Sequence, residues 1–276
     1  MSAYLVTGAT GFIGRHLMRE LARRGGVFHV LAQRRERPER LAALAREWSA
    51  PRAEIRFITG DVAKPGLGLS ETDLAPLRGK VQHVFHLAAV YDMRMDERTG
   101  RRVNVDGTRH ALDVARAIGV KGAFHHVSSI AVAGRYPGRF LERMLEESVR
   151  VEHPYFESKF RSEKLVREAR DIPCRIYRPG IVVGHSKTGV IDKVDGPYYF
   201  FPVIRALGEW LPAWLPLLGP EGGVVPLVPV DFVVRAIDHI AHRPGLDGKT
   251  FHLVDPVPRR AAAPRRPAPA PGPRDG

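Results

Sequence analysis

The stretch Thr7-Gly-Ala-Thr-Gly-Phe-Ile-Gly14 constrains this chain more than any other. The apolar run Tyr4-Leu5-Val6 precedes it, and Phe12, Ile13, His16, Leu17 and Leu21 follow at helical spacing up to Gly25-Gly26. A strand that passes into a helix through three glycines needs a tight turn and a close helix–strand approach. Gly8 permits the turn, Gly11 removes a side chain where the backbone approaches a ligand, and Gly14 lets the helix pack on the strand. The free N–H groups at the helix start favour an anion over the turn, and a pyrophosphate fits that place. Gly8, Thr10, Gly11, Phe12, Ile13 and Gly14 are therefore candidate cofactor contacts.

The alternation continues along the chain. Residues 27–32 read as a second strand, 41–48 as a helix, 55–59 as a third strand and 81–89 as a fourth. A helix over 103–118 stops at Gly119, a fifth strand covers 123–128, and a sixth covers 174–178. This rhythm predicts an α/β fold: a doubly wound, parallel Rossmann sheet whose ligands bind outside the carboxyl ends of the strands.

The residues at those strand ends carry the chemistry. The second strand runs into Gln33-Arg34-Arg35, with no acid before Glu36. A carboxylate there would favour NAD, whereas arginine suits the 2′-phosphate of NADP. NADP(H) is therefore expected, with Arg34 or Arg35 on the phosphate and Arg15 as a possible helper. Asp61 and Val62 follow the third strand beside the adenine, and Ala88-Ala89 follow the fourth as small residues next to the cofactor. The fifth strand ends in Ser128-Ser129. Downstream, HPYFESK (residues 153–159) starts a helix at Pro154 and sets Tyr155 and Lys159 four apart on one face. A phenol can donate a proton to a carbonyl oxygen, and a nearby ammonium is expected to lower its pKa.

TGATGFIG, HLAA, NVDGT, HVSSIAVAG, YFESK and YRPG resemble the motifs of extended short-chain dehydrogenases/reductases. HVFHLAAVYDM, FHHVSSIAVAG, DKVDGPYYFF, VPVDFVV and DHIAH are similar to the reductase domain of bacterial fatty acyl-CoA reductases and related thioester reductases, over residues 3–258. The resemblance implies a catalytic Ser129, Tyr155 and Lys159, with Asn104 supporting the proton relay and Pro179 against the nicotinamide. It selects Ser129, five residues before Gly134, and leaves Ser128 as the alternative serine on the substrate side. Lys193 and Tyr198 are the further substrate candidates, Lys193 or Lys187 meeting a CoA phosphate. Val190 departs from the family pattern, which has an acid there.

The implied activity is NADPH-dependent reduction of an acyl thioester, such as a fatty acyl-CoA, to aldehyde or alcohol. Two alternatives remain open. One is a dehydrogenase or epimerase acting on a hydroxysteroid, a flavonoid-like ketone or a nucleotide-sugar. The other is an NADP-binding regulator without turnover.

The bulk composition narrows the partners. The net charge is +13, of which the last eighteen residues carry +4. The arginines are scattered and no basic helix has interleaved aromatics, so acidic small molecules are expected rather than nucleic acid. One cysteine, Cys174, excludes an intramolecular disulfide and fits a reducing, cytoplasmic setting. The histidines show no metal-ligand spacing. No signal peptide is expected ahead of the first strand.

Residues 1–183 are expected to form the NADP-binding domain, 184–258 a substrate-binding region with returning α/β elements, and 259–276 a disordered Pro/Ala/Arg tail. Segment 198–219 is apolar but broken by Arg205, Glu209 and prolines, so it suits a substrate lid or a membrane-surface contact rather than a span. Members of the family continue past FHLVDP with further helices, which leads to the expectation that the chain is truncated or frame-shifted after residue 258.

Overall fold

Apolar strands flanked by amphipathic helices build a parallel sheet covered on both faces. The strands are β1 (Ala3–Thr7), β2 (Gly26–Ala32), β3 (Ala53–Thr59), β4 (Val81–His86), β5 (Ala123–Val127), β6 (Cys174–Pro179), β7 (Ile181–Val183), β8 (Leu227–Pro229) and β9 (Thr250–Leu253). The helices are α1 (Phe12–Ala22), α2 (Pro38–Glu47), α3 (Glu71–Leu74), α4 (Glu97–Thr99), α5 (Asp106–Ala117), α6 (Pro154–Glu168) and α7 (Val230–Ala241). The computed structural model describes residues 2–92, 94–149, 151–190 and 226–255.

The main sheet has the order β3-β2-β1-β4-β5-β6-β9, and each neighbouring pair is parallel. The chain winds outward from β1 to β3, then restarts on the other side of β1 with β4. The switch point therefore lies between β1 and β4, where such sheets bind ligands. One core layer packs α1 and α7 onto the sheet through Leu17, Leu21, Phe85, Val233 and Ile237. The opposite layer packs α5 and α6 through Leu112, Ala115, Phe124, Val166 and Ile176.

Two boundaries differ from the periodicity. Strand β4 ends at His86 rather than 89, because the following backbone leaves the sheet to pack on Gly8. The helix expected from residue 103 begins earlier. Asp96 caps α4 by accepting from the Thr99 N–H at 2.6 Å, and a π-helical stretch, Gly100–Val105, leads into α5. Gly100 lies under α6: a Cβ there would stand 3.3 Å from both the Pro154 carbonyl and Ser158 Cβ.

The elements beyond residue 184 rejoin the main body. Strand β9 pairs with β6, and α7 packs on α1, so both complete the sheet and its cover. Arg24 also grips Asp238 of α7 with two hydrogen bonds of 2.6 and 2.7 Å. Strands β7 and β8 form a separate parallel pair. Cys174 is buried, and burial pushes its thiol up to about 12. Among the described residues no helix is long and apolar enough to cross a membrane.

Histidines line the interior. His125 bonds Tyr177 Oη at 2.9 Å and His83 at 3.0 Å on one face of the sheet. His86 and His126 stack on the other face. Burial lowers His83 to about 4 and His86 to about 3, and holds His125 and His126 well below the usual imidazole range. The unfolded chain takes up protons near pH 6.5 while these four rings stay neutral in the fold. Stability is thus complete above about pH 6.5 and falls as pH drops below it, by about 1.4 kcal/mol per pH unit for each ring. Thermal unfolding from pH 7 to 5.5 should show the midpoint falling by about 10 °C or more. A flat midpoint over that range would contradict neutral buried histidines.

Candidate active site

The glycine turn sits at the switch point. Gly8 has φ +75°, and a Cβ on it would lie 2.4 Å from the Ala88 nitrogen. A Cβ on Gly14 would lie 2.1 Å from the Gly8 carbonyl, so α1 can pack on the turn only without one. Gly11 is different: a Cβ there would meet only the Gly8 carbonyl, at 3.3 Å. The space above Gly11 is a cradle that a side chain would fill. Gly11 is the N-cap of α1, no side chain caps it, and the first turn holds no acid. The Phe12 and Ile13 N–H groups and the positive end of the helix are thus left for an anion. These residues fit a dinucleotide pyrophosphate.

Around the adenosine end, Arg34 lines a groove with Gln33, Glu36, Pro38, Leu41, Phe57 and Thr59. Arg35 is exposed beside it. Glu36 is already engaged: it accepts from Thr10 Oγ1 at 3.3 Å and from Arg40 at 2.9 Å, and Arg40 also reaches the Thr10 carbonyl. Arg40 was not singled out from the sequence, although its spacing of four from Glu36 on a helix was a usable signal. Arg15 is turned to Glu47, at 2.8 Å. Asp61 accepts from the Ala63 N–H at 2.9 Å, which orders the loop carrying Val62, whose carbonyl bonds His110. Ala88 is half-buried against Gly8 and Ala89 is exposed. Pro179 closes the end of β6.

The reacting groups gather at the end of β5. Ser129 caps a short 3-10 turn, Ile130–Ala133, accepting from the Ala131 N–H at 3.2 Å and leaving its proton to donate. It hydrogen-bonds Tyr155. His153 caps α6 through Nδ1, which accepts the Tyr155 N–H at 3.1 Å, and Pro154 occupies the first turn. Lys159, one turn on, is 5% exposed and donates to the Val127 carbonyl at 2.9 Å.

The electrostatics correct one expectation. The Tyr155 pKa is not lowered; burial pushes it up to about 12, against the opposing hydrogen bond from Ser129. Lys159 does not acidify it here, because its ammonium points at the Val127 carbonyl and is itself lowered by burial to about 8. Tyr155 is a neutral phenol, able to donate.

Asn104 is a brace. It is 1% exposed, accepts from the Val90 N–H at 2.8 Å, and donates to the Val90 carbonyl at 3.1 Å and to Ser158 Oγ at 2.9 Å. Its side chain is fully occupied in joining the loop after β4 to α6. Ser128 is buried, and its hydroxyl donates to Glu163 at 2.6 Å, so it is not available for the substrate contact expected of it. Glu163, fully buried, also pairs with Arg178 at 2.6 Å and Arg167 at 2.9 Å. Spaced four from Lys159 on α6, it was legible in the sequence but not singled out. Lys193, Tyr198 and segment 198–219 lie outside the described residues, and Lys187 is exposed. Among the described residues no group of three or more His, Cys, Asp or Glu is placed to hold a metal ion.

A glycine-cradled switch point beside a Ser–Tyr–Lys cluster defines a dinucleotide-binding oxidoreductase of the extended short-chain type. Comparison with known proteins carries this to a family. Residues 6–237 match the profile of an NAD-binding family described as male sterility protein, and the chain belongs to that family. It is similar to the nonribosomal peptide synthetase asaC of Aspergillus flavus, 30% identical over 273 residues that make up 92% of this chain and 26% of asaC. It is likewise 30% identical over 274 residues to the aldehyde reductase lnbA of the same species, covering 91% of this chain and 26% of lnbA. Among solved structures it resembles the terminal R domain of the myxalamid PKS-NRPS pathway, with TM-score 0.79, 31% identity, and coverage of 95% of this chain and 67% of that one. The chain thus spans about a quarter of these curated relatives (26% of each).

Proposed function

We propose that this chain is a reductase domain that uses NADPH to convert an acyl thioester to an aldehyde. The observation that carries the reading is the hydrogen-bonded Ser129–Tyr155 pair, with Lys159 on the next turn, at the carboxyl end of β5 beside the switch point. A bound nicotinamide would supply the hydride. Tyr155 donates its proton to the carbonyl oxygen as charge develops there, and Ser129 supplies a second hydrogen bond. One hydride and one proton make a hemithioacetal; breaking its C–S bond releases aldehyde and thiol. Lys159 holds the end of β5 and is the natural partner for the cofactor ribose.

The relatives turn the substrate from free fatty acyl-CoA, as read from the sequence, toward an acyl or peptidyl group on a carrier-protein pantetheine arm. Both carriers present the same thioester, and palmitoyl-CoA remains a reasonable surrogate. Loss of NADPH absorbance with an acyl-pantetheine thioester, set against a sterol ketone and a nucleotide-sugar, tests the class. Turnover of the sugar or sterol alone would refute it.

NADPH preference rests on Arg34 in the adenosine groove and on Glu36 being neutralised by Arg40. Arg34→Ala is expected to weaken NADPH binding about 10- to 100-fold, since a charge-assisted hydrogen bond contributes about 1.5–3 kcal/mol. NADH binding should stay unchanged. Titration of the fluorescence of each reduced cofactor decides it; equal losses for both would sink the assignment.

A further inference from the structure

The loop after β4 carries an aromatic, Tyr91 of HVFHLAAVYDM, to which no role has yet been given. Tyr91 stands edge-on to Tyr155, with ring centroids 5.0 Å apart and planes at 84°. Tyr91 is 43% exposed and Tyr155 is 9% exposed, so one ring is the outer and the other the inner member of the pair. The position is built. Asn104 grips both the N–H and the carbonyl of Val90, and the same amide donates to Ser158 Oγ, which in turn donates to the Tyr155 carbonyl at 2.8 Å. The residue next to Tyr91 is thereby tied to the backbone of Tyr155 itself.

We propose that Tyr91 is a positioning residue for Tyr155: its ring seats the phenol, keeps water from it and forms the outer wall where the acyl group enters. The proposal rests on Tyr155 being the proton donor. Among the described residues, the groups facing that phenol are Ser129 from the turn after β5 and Tyr91 from the loop after β4, while Phe156 packs its ring from α6. On the same helix Lys159 is directed to Val127. Burial raises the Tyr155 pKa, the Ser129 hydrogen bond opposes it, and charge repulsion from the neighbouring Tyr91 phenol adds to the rise.

Removing the ring should admit water and let Tyr155 ionise earlier. The measurement is tyrosinate absorbance against pH, taken as the difference between each protein and its Tyr155→Phe counterpart. In Tyr91→Ala the Tyr155 transition is expected about one pH unit lower. kcat/KM for the thioester should fall about 10-fold as the donor loses its fixed position. Tyr91→Phe, which keeps the ring, should shift the transition less and retain most of kcat/KM. A Tyr155 transition unmoved in Tyr91→Ala overturns the proposal, and so does a kcat/KM equal to the parent's. The titration needs no turnover, so it still reports on Tyr91 if Tyr155→Phe proves active and the catalytic reading fails.

Discussion

Tyr155→Phe should lower kcat for thioester reduction by about 10²- to 10⁴-fold, the usual contribution of a positioned general acid. The ring and its packing against Tyr91 and Phe156 survive the change, and only the hydroxyl that meets Ser129 is lost. NADPH affinity should change little, because the change leaves the glycine cradle and Arg34 intact. Steady-state kinetics paired with cofactor titration separates the two effects. The pH dependence has a definite sign: burial holds Tyr155 near 12, so proton donation should persist through the neutral range rather than end near pH 7. Retention of half or more of the parental kcat in Tyr155→Phe would remove this tyrosine from the mechanism.

The second large effect is on stability. Glu163 and Arg178 are both 0% exposed, and their pairing also engages Ser128, Arg167 and the Met144 carbonyl. Glu163→Ala would leave the Arg178 guanidinium charged and buried with only neutral acceptors. Breaking such a pair from one side costs about 3–5 kcal/mol. In a domain of this size that lowers Tm by about 6–20 °C. Replacing both residues by apolar ones of similar volume, Glu163→Leu with Arg178→Met, should recover much of the loss. Burial tends to raise the Glu163 pKa, but Arg178 wins and holds it below the usual carboxylate range. Its stabilisation is therefore present above about pH 4.5 and lost as pH falls through its lowered pKa. Calorimetry of the single and double variants checks the argument; a Glu163→Ala midpoint within about 2 °C of the parent would end it.

This pair shows how residues far apart in the chain support the site. Glu163 lies on the Tyr155–Lys159 face of α6, Arg178 lies in the YRPG segment of β6, and Arg178 also meets His252 of β9 at 3.0 Å. The helix spacing made the face legible. The partner across the core was not, because nothing local marks which buried arginine a glutamate will meet. Asn104 is similar. Its motif was readable, but its grip on Val90 depends on a π-helical stretch that no periodicity announced. The returning α/β elements were legible, but the pairing of β9 with β6 was not, since strand pairing is set by the assembled sheet.

The sequence by itself determined the strand–glycine–helix opening and the parallel α/β rhythm, and it named the candidate residues at the strand ends. Those follow from local rules: glycine conformations, side-chain period and helix spacing act within a few residues. Only the tertiary structure decided which serine is available, where the Lys159 ammonium points, and that Tyr155 is raised rather than lowered. These depend on burial and on partners from distant segments. Desolvation at Tyr155 outweighs the single hydrogen bond that opposes it, and that balance exists only once β4, β5 and α6 have closed around the phenol.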